Sequence, residues 1–356
     1  MVQDGLWGRN NNNTDCLRNL NRAADWNDVY RLAREQTVQG LVLAGVEYSD
    51  EKPPKEFLLQ WIGEAQLLEQ RNKALNGFVA EIIDGLEKEK IYCLLVKGQG
   101  VAQCYEKPLW RESGDIDLLL SDEDYKRTKT LLTPLAEEVH EENIKNMHLS
   151  MNMNGYIVEL HGKMPFLLSN RVDRVIDEIL DDSLHKGGVM TGKLEGKDIL
   201  LPNLDNHIFI VFTHFLHHFF IEGVGLKQIC DWCRMLWTYR HEIDVDLLGK
   251  RLQGAGLMSE WKAFASLAVK TLGMPVDAMP FYDEGFKRKG EMVLRHILKT
   301  GNLGQNKDLS YRVKYKGFVY KVVSFWRRFV GFIEFVPIFP LDAPRFFVTY
   351  VAGKAE

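Results

Sequence analysis

Apolar residues in the first quarter of the chain recur at three- and four-residue spacing, through Leu32-Ala33, Gln39-Gly40-Leu41-Val42 and the long stretch from Glu56 to Glu89. That is the helical period, so residues 15–90 are expected to be helical, with Pro53-Pro54 opening the longest helix. The pattern then shortens. Ile91-Tyr92-Cys93-Leu94-Leu95-Val96 is a continuous apolar run ended by Lys97-Gly98, which predicts a buried strand, and a short helix follows through Ala102 to Tyr105. Residues 115–120 read as a second strand. Ser121-Asp122-Glu123-Asp124 marks a helix start, and Pro134 lies near that helix's end. His148 to Met153 alternates, Asn154-Gly155 is a hairpin turn, and Tyr156 to His161 forms the returning strand. A second hairpin is expected between Gly188 and Lys197. From Asn203 the period is helical again, over 203–221, 225–240, 244–256 and 258–272.

Strands flanked by helices, followed by an all-helical half, predict an α/β (α+β) core with a small mixed sheet, N-terminal helices and a C-terminal helical domain. The expected segments are 1–90 (helices packing on the core), 91–200 (the core), 201–305 (helical domain) and 306–356 (a basic aromatic tail). No internal repeat is found.

Composition narrows the class. The chain has 356 residues, 46% of them hydrophobic and 26% charged, enough for a substantial core and about two domains. A net charge of −4 gives no global basic field for nucleic acid. No secretory apolar region opens the chain, so Cys16, Cys93, Cys104, Cys230 and Cys233 read as reduced thiols of a cytoplasmic protein. Asn10 to Asn13 read as a flexible polar segment. No apolar run reaches the roughly 18 residues of a membrane span, so no transmembrane segment is expected.

The candidate chemistry centres on Arg111-Glu112-Ser113-Gly114-Asp115-Ile116-Asp117. Alternate strand residues share a face, so Asp115 and Asp117 project together while Ile116 and Leu118 point into a core. Two adjacent carboxylates repel unless a cation lies between them, and magnesium favours such oxygen ligands. Alone, a D-x-D pair is more often a turn or a solvated strand end. Glu159 is a third carboxylate, on a later strand and on one face with Ile157 and His161; a carboxylate among buried neighbours needs a partner. Lys97-Gly98-Gln99-Gly100 lies between a strand and a helix, where glycine lets the backbone approach a phosphate. It lacks P-loop spacing.

This order, strand–Lys97-Gly98–helix, then Arg111-x-x-Gly114-Asp115-Ile116-Asp117, then a strand carrying Glu159-Leu160-His161, resembles the polymerase-β-type nucleotidyltransferase superfamily. The nearest resemblance is to its uncharacterised bacterial branch. The helical block Phe212-Thr213-His214, His217-His218-Phe219-Phe220 and Glu222 to Trp232 extends the likeness, which covers about residues 20–275. The resemblance implies a nucleotidyltransferase-type core. It also implies Mg2+ or Mn2+ on Asp115, Asp117 and Glu159, a nucleoside triphosphate as co-substrate, and transfer of a nucleoside monophosphate with pyrophosphate release. Lys97, Gly98, Gln99, Arg111 and Gly114 would contact the nucleotide. The acceptor is open among small molecules, peptide or protein hydroxyls and RNA. Many members have Gly-Gly or Gly-Ser at the turn where this chain has Gly98-Gln99. A second reading is a catalytically idle binding module on the same scaffold.

Other features point elsewhere. His207, His214 and His218 share one helical face, and His214 and His218 have the i, i+4 spacing of a zinc pair, without an intervening acid. Lys227 and Asp231 lie one helical turn apart and could pair with each other or orient substrate. Cys230 and Cys233 read as helix-face thiols without a redox role. In the tail, Lys314, Lys316, Lys321, Arg327 and Arg328 interleave with Tyr315, Phe318, Phe325, Trp326 and Phe329. This segment either packs on the core with its lysines exposed or makes a peripheral contact with a membrane or nucleic acid. Pro337, Pro340 and Pro344 predict an irregular end.

Overall fold

Capping and turn residues set the boundaries of most elements. The computed structural model describes residues 1–8, 24–49 and 51–355. Four helices lead, α1 (Val2–Trp7), α2 (Trp26–Glu35), α3 (Gln39–Val46) and α4 (Lys55–Lys88). The core follows as β1 (Cys93–Val96), α5 (Gly98–Ala102), β2 (Asp115–Leu120), α6 (Asp122–Leu132), β3 (Glu138–Val139), β4 (His148–Met153) and β5 (Tyr156–His161). Helix α7 (Asn170–His185) leads to a separate hairpin, β6 (Val189–Leu194) and β7 (Lys197–Pro202). The helical half contains α8 (Leu204–Ile221), α9 (Leu226–Thr238), α10 (Val245–Ala255), α11 (Met258–Leu272) and α12 (Lys287–Thr300), then α13 (Tyr311–Lys314), α14 (Gly317–Ile333) and α15 (Asp342–Ala355).

Ser121 caps α6 by accepting from the Asp124 N–H at 3.1 Å, and Asn203 caps α8 in the same way. Asn154 and Gly155 both have positive φ, 51° and 73°, as a tight two-residue hairpin requires.

The five strands of the main sheet run in the order β1-β2-β5-β4-β3. Only the β2–β5 pair is parallel. Strand alternation splits the sheet into two faces. Leu95, Ile116, Leu118, Leu120, Val158 and Leu160 pack with Leu75, Val79, Ile82 and Leu86 of α4 in one core. Leu94, Val96 and Leu119 point the other way, into the larger core built by the helical half. Asp115 and Asp117 alternate with Ile116 and Leu118, so both acids look toward that helical half.

Three expectations change. The chain opens with helix α1, because Leu6 and Trp7 bury themselves and the Trp7 indole donates to the Leu272 carbonyl at 2.6 Å; the Asn10–Asn13 segment and Cys16 lie outside the described residues. The short helix after β1 starts at Gly98 rather than Ala102. Pro337 and Pro340 do lie in an irregular stretch, 334–341, between α14 and α15, but the chain then returns to helix. Pro344 sits in the first turn of α15, where a missing N–H has no intrahelical partner to lose. Among the described residues no helix is long and apolar enough to cross a membrane.

Glu260 at the start of α11 is fully buried. Burial first, and then the Asp342 carboxylate, push its carboxyl well above the usual value, so the native group keeps its proton. The unfolded chain loses that proton above about pH 4.3, so the native state loses stability as pH rises from there. Glu260→Gln is expected to match the wild type near about pH 4 and to exceed it by a margin that grows toward about pH 8. Urea unfolding at the two pH values measures the difference.

Candidate active site

The turn from β1 into α5 is strained. Lys97 has φ 57° and ψ −139°, a region nearly reserved for glycine that costs about 1–3 kcal/mol. Its backbone N–H donates to His207 Nε2 at 3.0 Å, which holds the turn from the α8 side. Gly98 follows at φ 35°, and a Cβ there would sit 3.3 Å from the Asp115 carbonyl oxygen. The turn delivers the Lys97 ammonium to Asp117 Oδ1 at 2.7 Å.

Sheet register assembles the acids. Asp117 lies directly beside Glu159 in the parallel β2–β5 pair, and His148 lies opposite His161 in the antiparallel β4–β5 pair. Asp115, Asp117 and Glu159 each offer an oxygen, and these three atoms lie within 4.8 Å of one another. Glu159 also joins His148 and His161 in a second group of that compactness. His161 Nε2 is 2.8 Å from Asp117 Oδ1 and 3.4 Å from Glu159 Oε2, and His148 Nε2 is 3.4 Å from Glu159 Oε2.

These contacts set the charges. Repulsion from Asp117, then burial, raises the Asp115 carboxyl. Burial works against the charge on Asp117, but Lys97 and the hydrogen bond from His161 outweigh it and hold that carboxyl low. Glu159 is held low in the same way, against burial, by His148 and His161. Burial also opposes a charge on His161, yet its bonds to Asp117 and Glu159 raise it. Three carboxylates thus converge beside one lysine and two imidazoles, an acidic cluster suited to a divalent cation. The all-oxygen donor set of Asp115, Asp117 and Glu159 fits a hard ion such as magnesium or manganese.

The acids line one side of a cavity of about 580 Å³. Arg111 and Asp231 line another part of it, joined by two parallel bonds, Nε to Oδ1 at 2.7 Å and Nη2 to Oδ2 at 2.8 Å. The pair is buried, and the Tyr105 hydroxyl adds a donor to Asp231 Oδ1 at 2.8 Å. Asn72 of α4 donates to the Leu109 and Arg111 carbonyls, both at 2.8 Å, and fixes the loop before β2. Lys227 also lines the cavity. Burial, and then Arg111, lower its ammonium, and no carboxylate lies within ion-pair distance of it among the described residues.

Of the residues nominated from sequence, Lys97, Gly98, Arg111, Gly114, Asp115, Asp117 and Glu159 all line this cavity. Gln99 does not. Its buried amide donates to Asn76 and accepts from the Ser113 hydroxyl, bracing the turn from behind. The face carrying Glu159 is a cavity wall rather than a core face, since Ile157 on it is 44% exposed. Asp231 pairs with Arg111, not with Lys227. The His214–His218 pair belongs to neither metal-capable cluster among the described residues. Instead His214 lies 3.4 Å from the Lys97 ammonium, and burial followed by Lys97 keeps its imidazole neutral. His148 and His161 were missed as site residues; the available signal was the position of His161, two residues beyond Glu159 on one strand face.

A small mixed sheet carrying three convergent carboxylates beside a glycine turn, with helices on both sides of it in sequence, is a nucleotidyltransferase-type architecture. The family model described as "uncharacterised nucleotidyltransferase" matches residues 22–273, and the chain belongs to that family. The match contains the whole acidic cluster, the Lys97-Gly98 turn and α9. No curated protein and no solved structure matches the chain.

Removing one member of a buried ion pair strands the other, at a cost of about 3–5 kcal/mol. Asp231→Ala is therefore expected to destabilise the protein by about that much, whereas Tyr105→Phe, which removes a single hydrogen bond, costs about 1 kcal/mol. Chemical denaturation of the two variants measures both. Equal effects would contradict the assigned pairing.

Proposed function

We propose that the chain is a metal-dependent nucleotidyltransferase that moves a nucleoside monophosphate from a nucleoside triphosphate to an acceptor hydroxyl or phosphate, with release of pyrophosphate. The observation that carries this reading is the convergence of Asp115, Asp117 and Glu159 in one cavity with the Lys97-Gly98 turn and Lys227. Family membership supports the reaction class.

Asp115, Asp117 and Glu159 would hold Mg2+ or Mn2+. When bound, such an ion neutralises phosphate charge and lowers the pKa of a coordinated hydroxyl. Gly98 leaves room for a phosphate at the turn. Lys97 is committed to Asp117 and Arg111 to Asp231, so both shape the site's charge while already paired. Lys227 and Arg71 line the cavity with no carboxylate within ion-pair distance among the described residues, and Lys227 would contact the triphosphate. His161 holds Asp117 and Glu159 in position through its Nε2. The cavity is within the usual size range for a small-molecule site.

Thermal-shift measurements with each of the four common nucleoside triphosphates test binding. The wild type should be stabilised by at least one of them only when Mg2+ or Mn2+ is present, as mass action requires, and Asp115→Asn should lose the shift. Without metal, Asp115→Asn should unfold no earlier than the wild type, because it relieves repulsion from Asp117. A wild type that no triphosphate shifts in the presence of either metal would defeat the proposal.

Lys227→Met is expected to weaken triphosphate binding about tenfold, the loss of one charge-assisted contact, with no loss of stability. Asp117→Asn should lower pyrophosphate release by on the order of a hundredfold or more, the scale for removing a group that stabilises transition-state charge. Titration calorimetry and a pyrophosphate-coupled assay measure these effects.

A further inference from the structure

The outer face of α14 is apolar and uncovered. Phe318, Val322, Phe325, Trp326 and Ile333 fall on one side of the helix at i, i+4, i+7, i+8 and i+15. Phe318 is 80% exposed, Trp326 62%, and the other three 50% each. The helix is anchored along one edge of this stripe and at its back. Phe332 is buried against Phe220, Phe335 and Phe347, and Arg327 pairs with Asp308 at 2.9 Å. Phe325 lies at the packed edge, its ring 5.9 Å from that of Phe347 on α15, and the rest of the stripe faces outward beside it.

The helix that carries this stripe contains no acid; the flanking Asp308 and Glu334 are each paired with a cation, Arg327 and Lys299. Between Leu309 and Ile333 the sequence contains six Lys and Arg residues and no Asp or Glu. Lys314 and Lys316 lie just before the helix, and Lys321 lies beside the stripe; all three are exposed. The segment's large apolar residues were expected to pack on the core or to make a peripheral contact. Phe332 does the first and Phe325 does so in part, against the Phe347 ring, whereas Phe318 and Trp326 remain 80% and 62% exposed.

We propose that α14 docks flat on an anionic lipid surface, its aromatic stripe entering the headgroup boundary and its lysines meeting lipid phosphate and carboxylate groups. An acid-free amphipathic helix with Trp and Phe on one face and Lys at its edge has the chemistry of such an interfacial helix. The helix is not apolar enough to span a bilayer. A second copy of the chain fits this face less well, because a two-fold contact presents the same patch on both partners and would bring the lysines together. The groove along α14, which Trp326 itself lines, shares Glu222 and Leu303 with the carboxylate cavity, so docking would place that cavity close to the lipid surface.

Co-sedimentation of the full-length protein with phosphatidylcholine vesicles, with and without about 30% phosphatidylserine, tests the proposal. Binding should require the anionic lipid and weaken with added salt. The double variant Phe325→Ser, Trp326→Ser should lose at least about tenfold in partitioning, from the apolar area withdrawn. Lys316→Gln and Lys321→Gln should each lose about fivefold. All of these positions are exposed, so circular dichroism should be unchanged and each variant should remain folded at the assay temperature. Absence of binding to anionic vesicles would overturn the proposal, as would binding unchanged in the double variant. A dimer that the double variant dissociates, without vesicle binding, would assign the face to a second copy instead. None of these readouts depends on nucleotide binding, so failure here leaves the nucleotidyltransferase proposal standing, and the reverse also holds.

Discussion

A carboxylate with 1% of its surface exposed must have its charge answered by the protein, and at Asp117 this requirement organises the site. Lys97 and His161 both reach the same oxygen of Asp117. Lys97 can do so only because the chain after β1 adopts a backbone conformation that a lysine rarely takes. That conformation persists because His207, on a helix more than a hundred residues later, accepts the Lys97 N–H. His161 can do so only because β5 pairs in parallel with β2, which sets Glu159 beside Asp117. A one-residue slip in that pairing would send Glu159 and His161 to the opposite face, into the core under α4.

The same constraint explains why the helical half belongs to the site. Asp231 on α9 neutralises Arg111 in the loop before β2, with Tyr105 as a further donor. Asn72 on α4 holds the same loop by its carbonyls. The strand bearing the acids is thus positioned from the N-terminal helices, from the sheet and from α9 together. Most of these contacts are buried polar pairs, whose loss costs more than their formation contributes. They specify an arrangement more than they add stability.

Three carboxylates converge on one wall, and Lys227 lies on another with no carboxylate within ion-pair distance among the described residues. A divalent ion and a polyphosphate together would complete both halves. Lys97 and Arg111, the cations that local sequence singled out, are each already bound to an aspartate.

What could be read from the chain by itself was what depends on local periodicity and local chemistry. The strand alternation of Asp115-Ile116-Asp117-Leu118, the Asn154-Gly155 turn, the Ser121 cap and the run of helices after Asn203 all depend on residues within a few positions of one another. For the same reason the acidic pair, Glu159 and the glycine turn were visible as candidates. Tertiary structure decided which charges remain available. The Arg111–Asp231 pair spans 120 positions, and neither residue carries a local mark of the other. Helix α1 is fixed by burial of Leu6 and Trp7 and by the Trp7 indole bond to the Leu272 carbonyl, contacts that come from distant segments. The outward aromatic face of α14 was equally beyond the pattern, since a periodic apolar stripe looks the same whether it is covered by the core or left facing solvent. Spacing along the chain sets which side chains share a face, and packing of distant segments sets what that face meets.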